Sequence, residues 1–338
     1  MRVAVMGSGS FGTAMGLVLT DAGNDVMMWA REPEVAESIN ERHENEMYHP
    51  GLELPEGMVA TTDPAEALDG AKVVFLSVPA QVLREALANW VPLIPEDAIL
   101  VTTMKGVELG TTMRMTEVIA DVTGFPEDRI AVISGPNLAR EVIQRQPTAV
   151  TTACTSKDNA QLLADIVTTD YFRPYWTPDV LGAELGGSVK NVIALANGMA
   201  AGQGMGENSQ SSLITRGLAE MTRLGVALGA NPMTFLGLAG IGDLVATCTS
   251  SLSRNRTFGE SLGKGNSVEY TLNNLNQTCE GYKSCQSILD LAKANGVEMP
   301  IAEQVVQVVH HGMDPKEMLN NLMTRDTKAE QGSGHADV

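Results

Sequence analysis

The sequence predicts a doubly wound parallel α/β sheet followed by an all-helical domain. Three observations carry that reading. Short apolar, β-branched runs alternate with helical segments through the first half of the chain. A glycine-rich turn joins the first run to the first helix. Past about residue 178 no strand pattern recurs, and helical segments follow one another to about residue 322. The expected units are 1–178, 179–327 and a small, polar, disordered tail at 328–338.

Residues 2–6 (RVAVM) read as the first strand, ended by Gly7. The helix after it runs to Asp21 and is broken by Ala22-Gly23-Asn24. Residues 26–30 are the second strand. Residues 73–78 (VVFLSV) are apolar almost without interruption, as in a central strand buried on both faces, and 99–104 and 131–134 repeat the pattern. Between them lie helices at 81–90 and 111–123, and one opened by Asp63-Pro64, a cap with proline at the first helical position. Thr177-Pro178 is a second start of that kind. The helix from there to about residue 202 is apolar nearly all round, so it is expected to be buried. Further helices are expected at 209–228, 231–238, 243–249, 254–262, 284–294, 301–311 and 315–322.

The chain has 338 residues, 43% hydrophobic and 19% charged, which excludes a disordered protein and fits two domains. No uninterrupted apolar run approaches the roughly 18 residues of a membrane span. The N-terminus lacks a signal-peptide pattern, so a cytoplasmic protein is expected. A net charge of −18 repels nucleic acid and anionic lipid, so neither nucleic-acid binding nor membrane insertion is expected. An anionic substrate would need a local basic cluster. Cys154, Cys248, Cys279 and Cys285 form no CxxC pair and fit neither a zinc site nor a disulfide framework, and no metal site is expected. They read as buried thiols in a reducing compartment. His310-His311 reads as the surface of a late helix.

Gly7-Ser8-Gly9-Ser10-Phe11-Gly12 matches G-x-G-x-x-G, directly after a strand and at the head of a helix. In that context Gly7 allows the tight turn, Gly9 the approach of a pyrophosphate, and Gly12 close packing of helix on strand. This is a Rossmann-type site for a dinucleotide, with phosphates at a helix N-terminus. At the end of the second strand Ala30 stands where an NAD-selective site usually carries an acid, and Arg31 follows. A guanidinium there can pair with a 2′-phosphate, so NADPH is expected to serve at least as well as NADH.

Other candidates lie past strand ends or inside helices. Lys105-Gly106 and Gly135-Pro136-Asn137 follow two strands, where open α/β sheets bind ligands. Lys190 lies inside the apolar helix, where a lone ammonium needs a partner or a cleft, and where its pKa would fall. Asp243 follows Gly240-Ile241-Gly242, with Thr247 four residues on and on the same helical face. Ser253-Arg254-Asn255-Arg256, at a helix start in so acidic a chain, suits a phosphate.

GSGSFGT at the start, TMKGVE at 103–108, SGPNLAREV at 134–142, GSVKNVIALANG at 187–198, GLAGIGDLVATC at 237–248 and SRNRTFG at 253–259 follow one another in family order. Through them the chain resembles bacterial NAD(P)-dependent sn-glycerol-3-phosphate dehydrogenase to about residue 323. The resemblance implies that Lys190 is the acid–base for dihydroxyacetone phosphate and sn-glycerol 3-phosphate, tuned by Asp243 and Thr247. It implies that Lys105 touches both substrate and cofactor. Arg254 and Asn255 would hold the substrate phosphate, with Ser253, Gly135 and Asn137 lining the site. Ser10, Phe11, Arg31, Ala139, Arg254, Thr278 and Glu280 would contact NAD(P)H. A homodimer and a place in phospholipid synthesis are implied too. Two departures stand out: Asn137 replaces a bacterial Ser or Thr, and Thr278-Cys279-Glu280-Gly281-Tyr282 replaces Val-Val-Glu-Gly-Val. The alternatives are a 3-hydroxyacid-type dehydrogenase of the same plan and a non-catalytic dinucleotide-binding redox sensor.

Overall fold

Strand β1 (Arg2–Met6) lies inside an eight-stranded sheet ordered β3-β2-β1-β4-β5-β6-β7-β8. The computed structural model describes residues 1–274 and 279–326, so the expected tail at 328–338 lies outside the described residues. The other strands are β2 (Asp25–Trp29), β3 (Val59–Thr61), β4 (Val73–Leu76), β5 (Ile99–Thr102), β6 (Ile130–Ser134), β7 (Thr148–Cys154) and β8 (Phe172–Thr177). Helices α1 (Ser10–Asp21), α2 (Pro33–Arg42), α3 (Pro64–Leu68), α4 (Leu83–Trp90), α5 (Met115–Thr123), α6 (Ala139–Ile143) and α7 (Lys157–Val167) connect them. β1 lies between β2 and β4, and the chain reverses its direction of travel across the sheet there. That reversal opens a crevice at the carboxyl ends of the strands.

The sheet is parallel, as the sequence predicts, in every strand pairing among the described residues but one. β7 runs antiparallel to β6, pairing Ala131 with Cys154 and Ser134 with Thr151. The link between them holds only the five-residue α6 and turns back without crossing the sheet. β3, β7 and β8 escaped the apolar-run criterion for physical reasons. β3 has three residues. β7 (TAVTTAC) fills its buried positions with threonine and alanine. β8 (FRPYWT) is an edge strand, where Pro174 and the exposed Tyr175 and Trp176 are tolerated.

The helical part opens with α8 (Val180–Gly202), buried without a break from Gly182 to Ala200. Its cap is Asp179, not Thr177: the Asp179 carboxylate accepts from Gly182 N at 3.0 Å, while Thr177 Oγ1 accepts from Asp179 N. Around α8 lie α9 (Glu207–Ala227), α10 (Pro232–Phe235), α11 (Asp243–Thr249), α12 (Arg254–Gly263), α13 (Val268–Asn274), α14 (Glu280–Ala294), α15 (Pro300–His311) and α16 (Pro315–Met323). The helix expected at 111–123 begins only at Met115, because Val107 and Arg114 pair in an isolated bridge ahead of it. Pro232–Thr249 matches a membrane span in length and mean hydropathy, yet it is broken into α10, a π-type turn (Leu238–Gly242) and α11.

Two features fix how α8 sits. Its crossing with α12 is close enough that a Cβ on Gly198 would lie 2.1 Å from Arg256 O, and one on Gly259 2.1 Å from Leu195 O. At its start, the fully buried Glu184 carboxylate accepts from Arg114 at 2.8 Å, Thr116 N at 2.8 Å and Thr116 Oγ1 at 2.7 Å. Burial raises the Glu184 pKa, and Arg114 opposes that shift. This ion pair ties α8 to the head of α5. The four cysteines are free and buried. His310 and His311 close α15 at the surface, with His310 Nε2 3.3 Å from Cys285 Sγ.

Candidate active site

The site forms where α8, the π-type turn and the loop after β5 meet. A Cβ on Gly186 would stand 2.2 Å from Ala239 O, so α8 lies directly against that turn. One helical turn beyond Gly186 is Lys190, and the residue that follows the π-type turn is Asp243. Lys190 Nζ donates to Asp243 Oδ1 and, at 2.7 Å, to Thr247 Oγ1. From the sheet side Lys105 Nζ donates to Asp243 Oδ2 at 2.8 Å, Asn137 Oδ1 at 2.9 Å and Gly135 O at 3.1 Å. One carboxylate thus bridges two ammonium groups, one from each part of the molecule. Lys190 and Asp243 are only 5% and 2% exposed. Burial lowers the Lys190 pKa most, the Lys105 charge acts with it and Asp243 opposes both, and together they leave it at about 7.

Two buried polar atoms at this site have no partner: Asn137 Nδ2 and Ser134 Oγ. Beside them runs a chain of oriented amides. Gly281 N and Cys279 Sγ donate to Asn255 Oδ1, Asn255 Nδ2 donates to Asn191 Oδ1 at 2.9 Å, and Asn191 Nδ2 donates to Lys105 O at 3.1 Å. Ser253 caps α12 by accepting from Arg256 N at 3.3 Å. Arg254, the first residue of α12, is exposed and makes no hydrogen bond or ion pair among the described residues. Arg256 is paired along its own helix with Glu260 at 3.0 Å. The two arginines of the basic run therefore separate: Arg254 is available to a ligand and Arg256 is engaged.

The glycine loop is built as its spacing implied. Gly7 has φ +126°, and a Cβ there would lie 2.5 Å from Ser77 O; at Gly12 it would lie 1.9 Å from Gly7 O. Nothing lies within 4 Å of a Cβ on Gly9, and no side chain caps α1 there. An open concavity against uncapped helix N–H groups fits a pyrophosphate. Ser10 and Phe11 begin α1, partly exposed. Arg31 is 78% exposed and hydrogen-bonds Glu32 through Nε at 2.8 Å. Ala139 begins α6, half-buried. Glu280 begins α14, and its Oε2 is buried with no hydrogen-bond partner among the described residues, 3.6 Å from where a Cβ on Gly106 would be. Burial raises its pKa, and Arg254 is among the charges opposing that shift. Thr278 lies outside the described residues.

Sequence reasoning passed over Asn191, although an amide directly after a lysine in an apolar helix was a signal. It also passed over Asn45 and His49, which pack on the glycine loop from a segment with no periodicity to mark it.

Fold and site together define a class: two-domain dehydrogenases that carry a nicotinamide dinucleotide on the sheet and the substrate against the helices. Within that class the chain belongs to the NAD-dependent glycerol-3-phosphate dehydrogenase family. The model of that family's N-terminal domain matches residues 2–160, and that of its C-terminal domain matches residues 179–320. A glycerol-3-phosphate dehydrogenase [NAD(P)+] from Streptomyces griseus is 56% identical over 331 residues, 98% of each chain. The solved glycerol-3-phosphate dehydrogenase of Coxiella burnetii superposes with TM-score 0.91 at 36% identity, covering 96% of this chain and 99% of that one. The Saccharomyces cerevisiae enzyme superposes with TM-score 0.83 at 26% identity, covering 96% and 99%.

Proposed function

We propose that this member of the family interconverts dihydroxyacetone phosphate and sn-glycerol 3-phosphate with NAD(P)H, with Lys190 as the acid–base. The observation that carries the reading is Lys190, buried and poised near neutrality, in line with Asp243 and Lys105 across the two parts of the molecule. When bound, the nicotinamide supplies hydride to C2 of the ketone or takes it from the alcohol.

In the reducing direction the Lys190 ammonium gives its proton to the oxygen forming at C2; in the oxidising direction the neutral amine takes it back. Asp243 holds Lys190 in place and, with Thr247, fixes the direction of its N–H groups. Lys105 adds a second positive charge for the developing oxyanion and keeps the Lys190 pKa low. The exposed Arg254 guanidinium and the second N–H of Asn255 Nδ2 receive the phosphate, at the head of α12. Ser253, Gly135 and Asn137 line the same side. Gly7, Gly9, Ser10, Phe11 and Gly12 cradle the pyrophosphate. Arg31 serves the adenosine end, and Ala139, Thr278, Glu280 and Lys105 complete the cofactor site. Two lysines against one aspartate leave a local positive charge that draws a phosphate ester into an otherwise acidic protein.

A redox sensor has no use for a neutral-poised lysine inside an apolar helix, and a 3-hydroxyacid dehydrogenase has no use for the phosphate end. The division at about residue 178 then separates the glycine loop from the acid–base and the phosphate end, while Lys105, Asn137 and Glu280 reach across it. Four buried free thiols support a reducing, cytoplasmic setting, where the product feeds phospholipid synthesis. Exposed Val226 on α9, Met233 and Leu236 on and just after α10, and Val245 on α11, with α10 and α11 each packed on α9, support a homodimer.

Initial rates with dihydroxyacetone phosphate and with unphosphorylated dihydroxyacetone, for the wild type and Arg254→Ala, test this reading. The variant should lose about 1.5–3 kcal/mol of transition-state stabilisation on the phosphorylated substrate and little on the other. Equal losses on both would remove Arg254 from the phosphate site.

A further inference from the structure

The segment after α2 folds back over the glycine loop. Asn45 is fully buried, and its Nδ2 donates to Ser8 O at 2.9 Å and to Thr13 Oγ1 at 2.7 Å. One turn further on, His49 is 5% exposed and sets its ring against Ser10, the first residue of α1. Its Nε2 lies 2.9 Å from Ser10 O and 3.1 Å from Ser10 Oγ.

A carbonyl oxygen only accepts, so the shorter contact requires a proton on Nε2. Burial, and the charge of Arg140, hold the His49 pKa below its usual value, so near neutral pH the ring carries that single proton. The same N–H also faces Ser10 Oγ. The hydroxyl therefore meets a donor on the ring side, and its own hydrogen must point elsewhere. A free serine hydroxyl offers an anion either a lone pair, which repels, or its hydrogen, which attracts. Here the choice is already made.

We propose that His49 sets the Ser10 hydroxyl as a hydrogen-bond donor to the cofactor's pyrophosphate, and is thus a positioning residue for dinucleotide binding. The proposal rests on the reading that the glycine loop holds that pyrophosphate. Pyrophosphate is common to NADH and NADPH, so His49 acts on both alike.

Calorimetric titration of the full chain with NADH and NADPH tests it, using His49→Leu, Ser10→Ala, the double variant, and Gly9→Asp as a check on the loop. Gly9→Asp places a carboxylate in open space at a helix cap, so the fold accepts it. Gly9→Asp should abolish binding. Ser10→Ala should weaken both cofactors about tenfold and His49→Leu about threefold to tenfold. The double variant should bind no more weakly than Ser10→Ala, and His49→Leu should raise KM for the cofactor while kcat at saturation holds. If His49→Leu binds like the wild type while Ser10→Ala is weakened, the proposal is overturned and the loop reading stands. The proposal is likewise overturned if the two losses multiply in the double variant. If Gly9→Asp binds like the wild type, the loop reading itself fails. Nitrogen NMR of the ring in the unsubstituted protein gives a second test that no folding defect can blur. Nε2 should carry the proton, and a ring protonated only at Nδ1 would overturn the proposal.

Discussion

At the scale of single residues, the site works by mutual perturbation of charges. Lys190 is neutral-poised because burial outweighs the attraction of Asp243, and Lys105 adds to the burial effect. The sign of the pH dependence follows. With Lys190 as the proposed acid, kcat/KM for dihydroxyacetone phosphate should fall as pH rises through about 7. The base form is needed for oxidation, so kcat/KM for glycerol 3-phosphate should rise over the same interval. Rate profiles in both directions, taken between about pH 6 and 9, check this; parallel profiles would rule Lys190 out as the shared group. The cofactor's adenosine end is a second residue-scale question. Ala30 brings no acid to repel a 2′-phosphate, but Arg31 is already bonded to Glu32. A 2′-phosphate must therefore compete for a highly exposed guanidinium. Arg31→Ala should weaken NADPH by about fivefold, roughly 1 kcal/mol at such a site, and leave NADH nearly unchanged. Equal weakening of both cofactors would mean that Arg31 stacks on adenine instead.

At the scale of elements, the site depends on how closely α8 approaches its neighbours. Gly198 and Gly259 let α8 and α12 cross backbone to backbone, which brings Asn255 onto Asn191, the residue after Lys190. Gly198→Ala gains about 1 kcal/mol of helix propensity but must push Arg256 O away from 2.1 Å. Overpacking of that kind costs about 1–3 kcal/mol or more, so thermal unfolding should show a lowered midpoint, with activity lost before stability. An unchanged midpoint would mean that the two helices are not in contact at this point. Elements with strong local signals were legible in the sequence. β1, β4, β5 and β6 are apolar runs, α3 has its Asp63-Pro64 start, and α8 is apolar all round. β7 and β8 were not legible, because threonine-rich and edge strands lack that run. Nor was the antiparallel turn at α6, since strand direction is set by the path of the connection and not by the strand's composition. The site divides the same way. Lys190 and Asp243 stand out as charges in apolar or glycine-rich settings. The contacts of Asn191 and His49 arise only when distant segments meet; the amide directly after Lys190 is a local mark of Asn191, and nothing local marks His49.

At the scale of the whole molecule, catalysis requires the two parts to stay in register. Asp243 and Lys190 come from the helical part and Lys105 from the loop after β5, so the charge bridge spans the boundary. The buried Arg114–Glu184 pair and the Asn191–Lys105 bond hold the same boundary at two more points. In a chain of net charge −18, the two lysines on Asp243 are the local positive charge that the proposed phosphate ester would seek. The proposed function puts cofactor binding at the glycine loop and proton transfer at Lys190, so the two should separate in one variant. The most direct measurement is Lys190→Ala, scored both for turnover of dihydroxyacetone phosphate and for the NADPH dissociation constant. Turnover should fall about a hundredfold or more while the dissociation constant stays near that of the wild type. Turnover close to wild type, or an equal loss of cofactor affinity, would contradict it.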